Sequence, residues 1–146
     1  MDERRREFSL RLSRGSTNSA QAILDRIKQP STWPEWVPEI NSTTSKKSIV
    51  DVGDNVEGLA EMLGFRVNGR AHVTEITPTL FVQDVVIGVR IVARYEVEPT
   101  EHGSVIHHEL IVSAPRGPMG RLLTFFLRGR LRSMQERLLA NLSDPP

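Results

Sequence analysis

The chain has 146 residues, the length of one ordinary domain and enough to bury roughly two thirds of its unfolded surface. Apolar residues make up 38 % and charged residues 25 %, the balance of a soluble globular protein, and a formal net charge of +1 gives no general attraction for nucleic acid. The absence of cysteine excludes a disulfide frame, a thiolate nucleophile and a thiolate metal site, and fits a reducing compartment.

The opening run MDERRREF is charged and leads into no apolar stretch, and the longer apolar runs are broken by Gln83, Asp84 and Arg90 well short of a bilayer span. A soluble, cytoplasmic protein is expected. Phe8, Leu10 and Leu12 alternate with Ser9, Arg11 and Ser13, the period of a strand with one buried face that ends near Arg14. RGSTNS then supplies a loop and a helix N-cap. From Asn18 or Ser19 the spacing changes to Ala20, Ile23, Leu24 and Ile27, which predicts a short amphipathic helix up to Pro30.

Residues 29–40, QPSTWPEWVPEI, place both tryptophans of the chain beside Pro30, Pro34 and Pro38. Proline lacks a backbone N–H and disfavours helical geometry in the residue before it, so no long helix passes here. A second short helical turn is expected, with Pro30 at its start and Pro38 at its exit.

Beyond Ile40 the chain reads as β to about residue 114. Turn residues at 51–55, 68–69, 77–79, 87–88 and 101–103 divide it into six short strands, as in an antiparallel meander. Asn68-Gly69 is the sharpest hairpin signal, with Leu63-Gly64 as the competing turn. Val89, Ile91, Ala93, Tyr95 and Val97 share one face of their strand, and Ile106, His108, Leu110 and Val112 share one face of the next. The segment from about Pro118 to Leu142 is rich in Leu, Arg, Met and Gln and predicts one long helix. Seven antiparallel strands with one apolar face need a cover, and only this helix is large enough: the expected class is a two-layer α+β domain, one unit over residues 1–146.

That order, with AILDRIKQPSTWPEWVPEI, VTEITP and the RGPMGRLL opening of the last helix, resembles the helix-grip (SRPBCC) superfamily, which includes START domains, the birch-pollen allergen and the polyketide cyclase/dehydrase and lipid transport proteins. The resemblance covers nearly the whole chain. It implies a curved sheet gripping the last helix, two short helices at one end, and a cavity in place of a solid core. It implies no shared catalytic residue, because carriers, receptors, cyclases and hydrolases use this one scaffold. Trp33 and Trp36 then either wall and gate the cavity or plug the end of the core.

The residues themselves support little chemistry. His107 and His108 are adjacent on a strand and point to opposite faces, so no metal site is expected. No nucleophile elbow, phosphate loop or dinucleotide fingerprint occurs, and no cofactor is expected. By strand parity and helix face the expected ligand-binding residues are Trp33, Trp36, Met62, Val73, Tyr95, His108, Leu123, Phe126 and Leu127. His108 reads either as a pocket acid/base or as a hydrogen-bonded core histidine.

Drawn at about 100° per residue, Met119, Leu123, Leu127 and Met134 share a face of the last helix with Arg130 near its centre. Three fates compete for that arginine: a carboxylate partner in the protein, an escape along the helix edge, or an acidic or carbonyl group of a ligand. The expectation is that Arg130 is the polar anchor of the cavity. Arg121, Phe125, Arg128 and Arg132 form a second stripe, either an ordinary wet face or a contact for an anionic membrane, an acidic partner or a second copy of the chain. The functional expectation is a carrier or sensor of a small hydrophobic ligand such as a lipid, isoprenoid or polyketide; the alternative is an aromatase/cyclase working in the same cavity.

Overall fold

A computed structural model describes residues 5–62, 64–115 and 117–144. Strand β1 (Arg5–Ser16) is followed by helix α1 (Ala20–Ile27), a 3₁₀ turn (Pro30–Thr32) and the short helix α2 (Trp33–Trp36). Six strands come next: β2 (Ile40–Ser45), β3 (Asn55–Met62), β4 (Phe65–Thr77), β5 (Leu80–Ile87), β6 (Val89–Thr100) and β7 (Gly103–Pro115). Helix α3 (Pro118–Ser143) ends the order. All seven strands form one antiparallel sheet in the order β1-β7-β6-β5-β4-β3-β2, so β1 and β2, which flank the two short helices in sequence, lie at opposite edges.

The local signals explain the ends of these elements. The Ser19 hydroxyl accepts the Ala22 N–H at 3.1 Å and caps α1, whose Ala20, Ile23, Leu24 and Ile27 are all buried. The Trp33 indole N–H donates to the Ile27 carbonyl at 2.8 Å, occupying one of the acceptors that the last turn of a helix leaves without a partner. The Trp36 indole N–H donates to the Thr32 hydroxyl at 3.1 Å. Both rings are buried in the core, so the proline-rich stretch holds the two tryptophans by their polar edges while their apolar bodies pack inward.

The turn between β3 and β4 falls at the second of the two candidate sites. Met62 pairs with Phe65 across it, and Gly64 has φ +84°, a conformation glycine adopts without strain. Asn68 and Gly69 instead lie inside β4, paired with Leu59 and Gly58.

Helix α3 lies along one side of the sheet, where its close backbone neighbours are β1, β7 and α2. Its buried seam runs through Gly120, Leu127, Leu131, Gln135, Leu138, Leu139 and Leu142. The C-terminal end is held by side chains from the end of β1, the β1–α1 connection and α1. Ser16 Oγ and Asn18 Nδ2 donate to the Ser143 carbonyl at 2.6 and 3.0 Å, and Arg26 donates to the Asn141 carbonyl at 3.2 Å. Its first half carries the opposite feature, an outward face with Met119, Leu122, Phe125 and Phe126 all exposed.

Candidate functional site

Because α3 follows β1 and β7, the sheet face over β3, β4 and β5 is left partly uncovered, and a cavity of about 130 Å³ lies there. Its floor is made by alternate positions of the strands: Val56, Gly58 and Ala60 on β3, Gly69 and Ala71 on β4, Gln83, Val85 and Ile87 on β5, and Ile91, Ala93 and Tyr95 on β6. Leu131, Met134 and Leu138 of α3 form the roof, and Trp33, Trp36 and Val37 close one side. The space exists because the floor is built from small residues. Gly58 and Gly69 face each other in register, with Ala60, Ala71 and Ala93 nearby; a Cβ at Gly69 would meet the Ile87 side chain at 3.4 Å and one at Gly58 the Ser42 carbonyl at 3.2 Å.

Aromatic rings stiffen the deep wall. Trp36 meets Tyr95 edge-on, with centroids 5.9 Å apart, and Phe81 meets Tyr95 at 6.2 Å. Burial pushes the Tyr95 hydroxyl well above the usual phenol range, so it stays protonated at any physiological pH. Two polar side chains reach the cavity from positions the sequence reading did not single out. Gln83 is 6 % exposed, and its Oε1 has no hydrogen-bond partner among the described residues. Glu39 uses Oε2 to accept from Arg137 of α3 at 2.6 Å, and its Oε1 has no partner among the described residues. The available signal for Gln83 was its parity: it stands in phase with Phe81 and Val85 on a strand whose first four residues are buried.

Of the ten residues expected to bind ligand, Trp33, Trp36 and Tyr95 lie in the cavity wall. Val73 and Leu127 are buried in the core away from that wall, and Leu123 is half-buried at the core edge. The Met62 side chain lies outside the described residues. Phe126 and Arg130 are corrections, since both are exposed. The expected inward face lies too near the N-terminal residues Met119 and Leu123; the observed seam through Leu131, Gln135 and Leu138 is rotated from it, and Arg130 precedes Leu131 by about 100° of arc. Arg130 therefore leaves along the solvent side of the helix. The expected basic stripe is also divided: Arg128 lies over the Phe8 ring at 5.0 Å, and Arg132 donates to the Arg11 carbonyl at 2.8 Å and to Gln135 Oε1 at 2.9 Å. Arg121 and Phe125 stay exposed on the outside.

His108 belongs to a buried network under α3. Gln135 Nε2 donates to His108 Nδ1 at 2.9 Å and to the Leu10 carbonyl at 3.0 Å, and the His108 ring sits 4.6 Å from that of Tyr95. Accepting at Nδ1 makes the imidazole neutral with its proton on Nε2, and burial lowers its pKa to about 3. It is absent from the cavity wall. His107, on the opposite face, bonds Ser13 and Glu98 near solvent.

A family model described as polyketide cyclase/dehydrase and lipid transport matches residues 7–144. The chain belongs to this family. Solved structures share the family's fold at low identity. A protein from Thermus thermophilus superposes with a TM-score of 0.79 at 14 % identity, covering 93 % of this chain and 94 % of that one. A START superfamily protein from Mycobacterium smegmatis gives 0.72 at 15 %, covering 94 % and 96 %. The di-domain ARO/CYC protein StfQ from the steffimycin biosynthetic pathway gives 0.75 at 12 %, covering 94 % of this chain and 49 % of that protein. No curated protein sequence matches the chain. With the family thus shown, the internal cavity between sheet and C-terminal helix is the site to be explained.

The buried histidine makes a prediction about pH. Its pKa is about 3 in the folded protein and about 6.5 unfolded, so the unfolded chain binds the proton more tightly. The neutral ring's contribution is complete above pH 6.5 and is lost as pH falls towards 3. Urea unfolding at pH 7 and pH 5 should show wild type losing about 2 kcal/mol more than His108→Phe over that interval. An equal loss in both proteins would place His108 in water.

Proposed function

We propose that this protein binds a small hydrophobic ligand in the cavity below α3 and acts as a carrier or sensor. The observation that carries the reading is the composition of the wall: apolar on floor and roof, aromatic on the deep side, with only isolated polar groups. The cavity volume, about 130 Å³, is enough for a single aromatic ring. A longer lipid, isoprenoid or polyketide would extend through the half-buried rim at Ile40, Thr43, Leu59 and Ile87. A cyclase needs a base placed beside the reacting carbons. Here Tyr95 is kept protonated and His108 is held in the core by Gln135, which supports binding over turnover.

The exposed start of α3 gives the cargo a place to leave. Met119, Leu122, Phe125 and Phe126 are at the end of the sheet from which Phe65, 72 % exposed, also projects. Residues 118–135 carry four arginines and no acidic residue. That combination suits an anionic bilayer, with rings entering the interface and Arg121 and Arg130 at the headgroups.

Two measurements test these readings. Ala71→Leu fills the floor without touching a polar group, and should lower the affinity for the fluorescent probe 1-N-phenylnaphthylamine at least about tenfold while the fold is kept. Unchanged probe affinity in a folded variant would remove the cavity as the site, and turnover of a poly-β-ketone mimic by the wild type would replace the carrier by the cyclase. For the outer face, wild type should sediment with phosphatidylserine vesicles at low salt and a Phe125→Ser, Phe126→Ser double variant should not. Sedimentation of neither, with a dimer in solution, would assign the face to a second copy.

A further inference from the structure

Helix α3 is held on its two sides in different ways. Towards β1, Gln135 and Arg132 bond the Leu10 and Arg11 carbonyls, and the Arg128 head lies over the Phe8 ring. Towards β2 and β3, across the cavity, a single side-chain hydrogen bond joins the helix to that edge of the sheet among the described residues: Arg137 donates to Glu39 Oε2 at 2.6 Å. Glu39 stands one residue before β2, and its carbonyl accepts from the Glu61 N–H at 2.9 Å. Its backbone is thereby fixed to β3 while the residue belongs to the cavity wall.

The pair stands where the cavity meets water. The Glu39 side chain is 21 % exposed and that of Arg137 50 %. On α3, Arg137 falls between the roof residues Met134 and Leu138, and Glu39 adjoins Ile40 of the half-buried rim. An apolar molecule entering between α3 and the start of β2 therefore has to pass both charges. An ion pair so near solvent is weak and is screened by salt, and the long arginine stem can carry its head out into water. The bonds to β1 do not depend on this pair, so it can part while the helix stays in place.

From this arrangement we infer that Arg137 and Glu39 form a side-chain gate across the mouth of the cavity. Paired, they close the gap between α3 and the start of β2 over a bound ligand; parted, they open it. The inference rests on the ligand-binding reading above and adds to it a route and a control on the rate of exchange.

Stopped-flow mixing with 1-N-phenylnaphthylamine tests the gate in wild type, in Arg137→Met, which keeps the apolar stem, and in Glu39→Gln, which keeps the shape. Both variants should take up and release the probe about three- to fivefold faster than wild type, with Kd changed less than about twofold. Raising the salt from about 0.02 to about 0.5 M should speed exchange in wild type, a reading that needs no substitution, and leave both variants unchanged. Equal rates in all three proteins, with no salt response in wild type, would overturn the gate while keeping the cavity as a ligand site. So would a loss of affinity in the variants with no rise in the association rate, which would make the pair part of the wall alone. A wild type that takes up no probe would overturn the ligand-binding reading and the gate together.

Discussion

Helix α3 lies over one edge of the sheet and leaves the other side uncovered. It follows β1 and β7, is fixed there by Gln135 and Arg132, and is tied at its C-terminal end to Ser16, Asn18 and Arg26. β1 is an edge strand, and the side chains of Gln135 and Arg132 bond its Leu10 and Arg11 carbonyls. Given that placement, the floor over β3, β4 and β5 could be closed only by large side chains pointing upward. On β3 and β4 glycines and alanines stand at several of these positions, and a space lined mainly by apolar atoms follows. The proline-rich stretch completes it by fixing Trp36 against Tyr95 through the hydrogen bonds of the two indoles.

The same arrangement separates two kinds of buried polar group. Gln135 bonds both His108 and the β1 backbone and so sets the position of the helix, while His108 Nε2 has no partner among the described residues. Gln83 and Glu39 line the cavity, and each holds one buried oxygen without a partner among the described residues. Polar residues of the first kind specify structure, because moving either partner exposes a desolvated group. Those of the second kind are the ones through which the cavity can tell ligands apart, since an apolar wall alone discriminates weakly between molecules of one size.

Much of the fold was legible in the sequence because its signals are local. The alternation at Phe8, Leu10 and Leu12, the Ser19 cap, the tryptophan–proline turn and the uninterrupted run after Pro118 each follow from backbone geometry and set the element order. The β3–β4 turn was not decided, because Asn68-Gly69 has the composition of a tight turn whereas Gly69 lies within β4 against the Ile87 side chain. The inward face of α3 was misplaced for a physical reason: its first half is apolar on both sides, with Leu123 and Leu127 towards the core and Phe125 and Phe126 towards solvent, so periodicity there has no single direction. The inward placement of Arg130 followed from that. A cavity floor of glycine and alanine leaves no side-chain pattern to read, and Gln83 looked like an interruption of an apolar run when it is a polar group within the floor.

The central claim is that the space beside α3, and no other surface, receives the ligand. Nitrogen–proton correlation spectra of the labelled protein during titration with 1-N-phenylnaphthylamine test it directly. The account predicts shifts concentrated at the Trp36 indole N–H, the Gln83 side-chain amide and the backbone of Ala71 and Ala93, with Phe125 and Phe126 unmoved. Shifts confined to Phe125, Phe126 and their neighbours on the outside of α3, with the floor of the sheet unchanged, would contradict it.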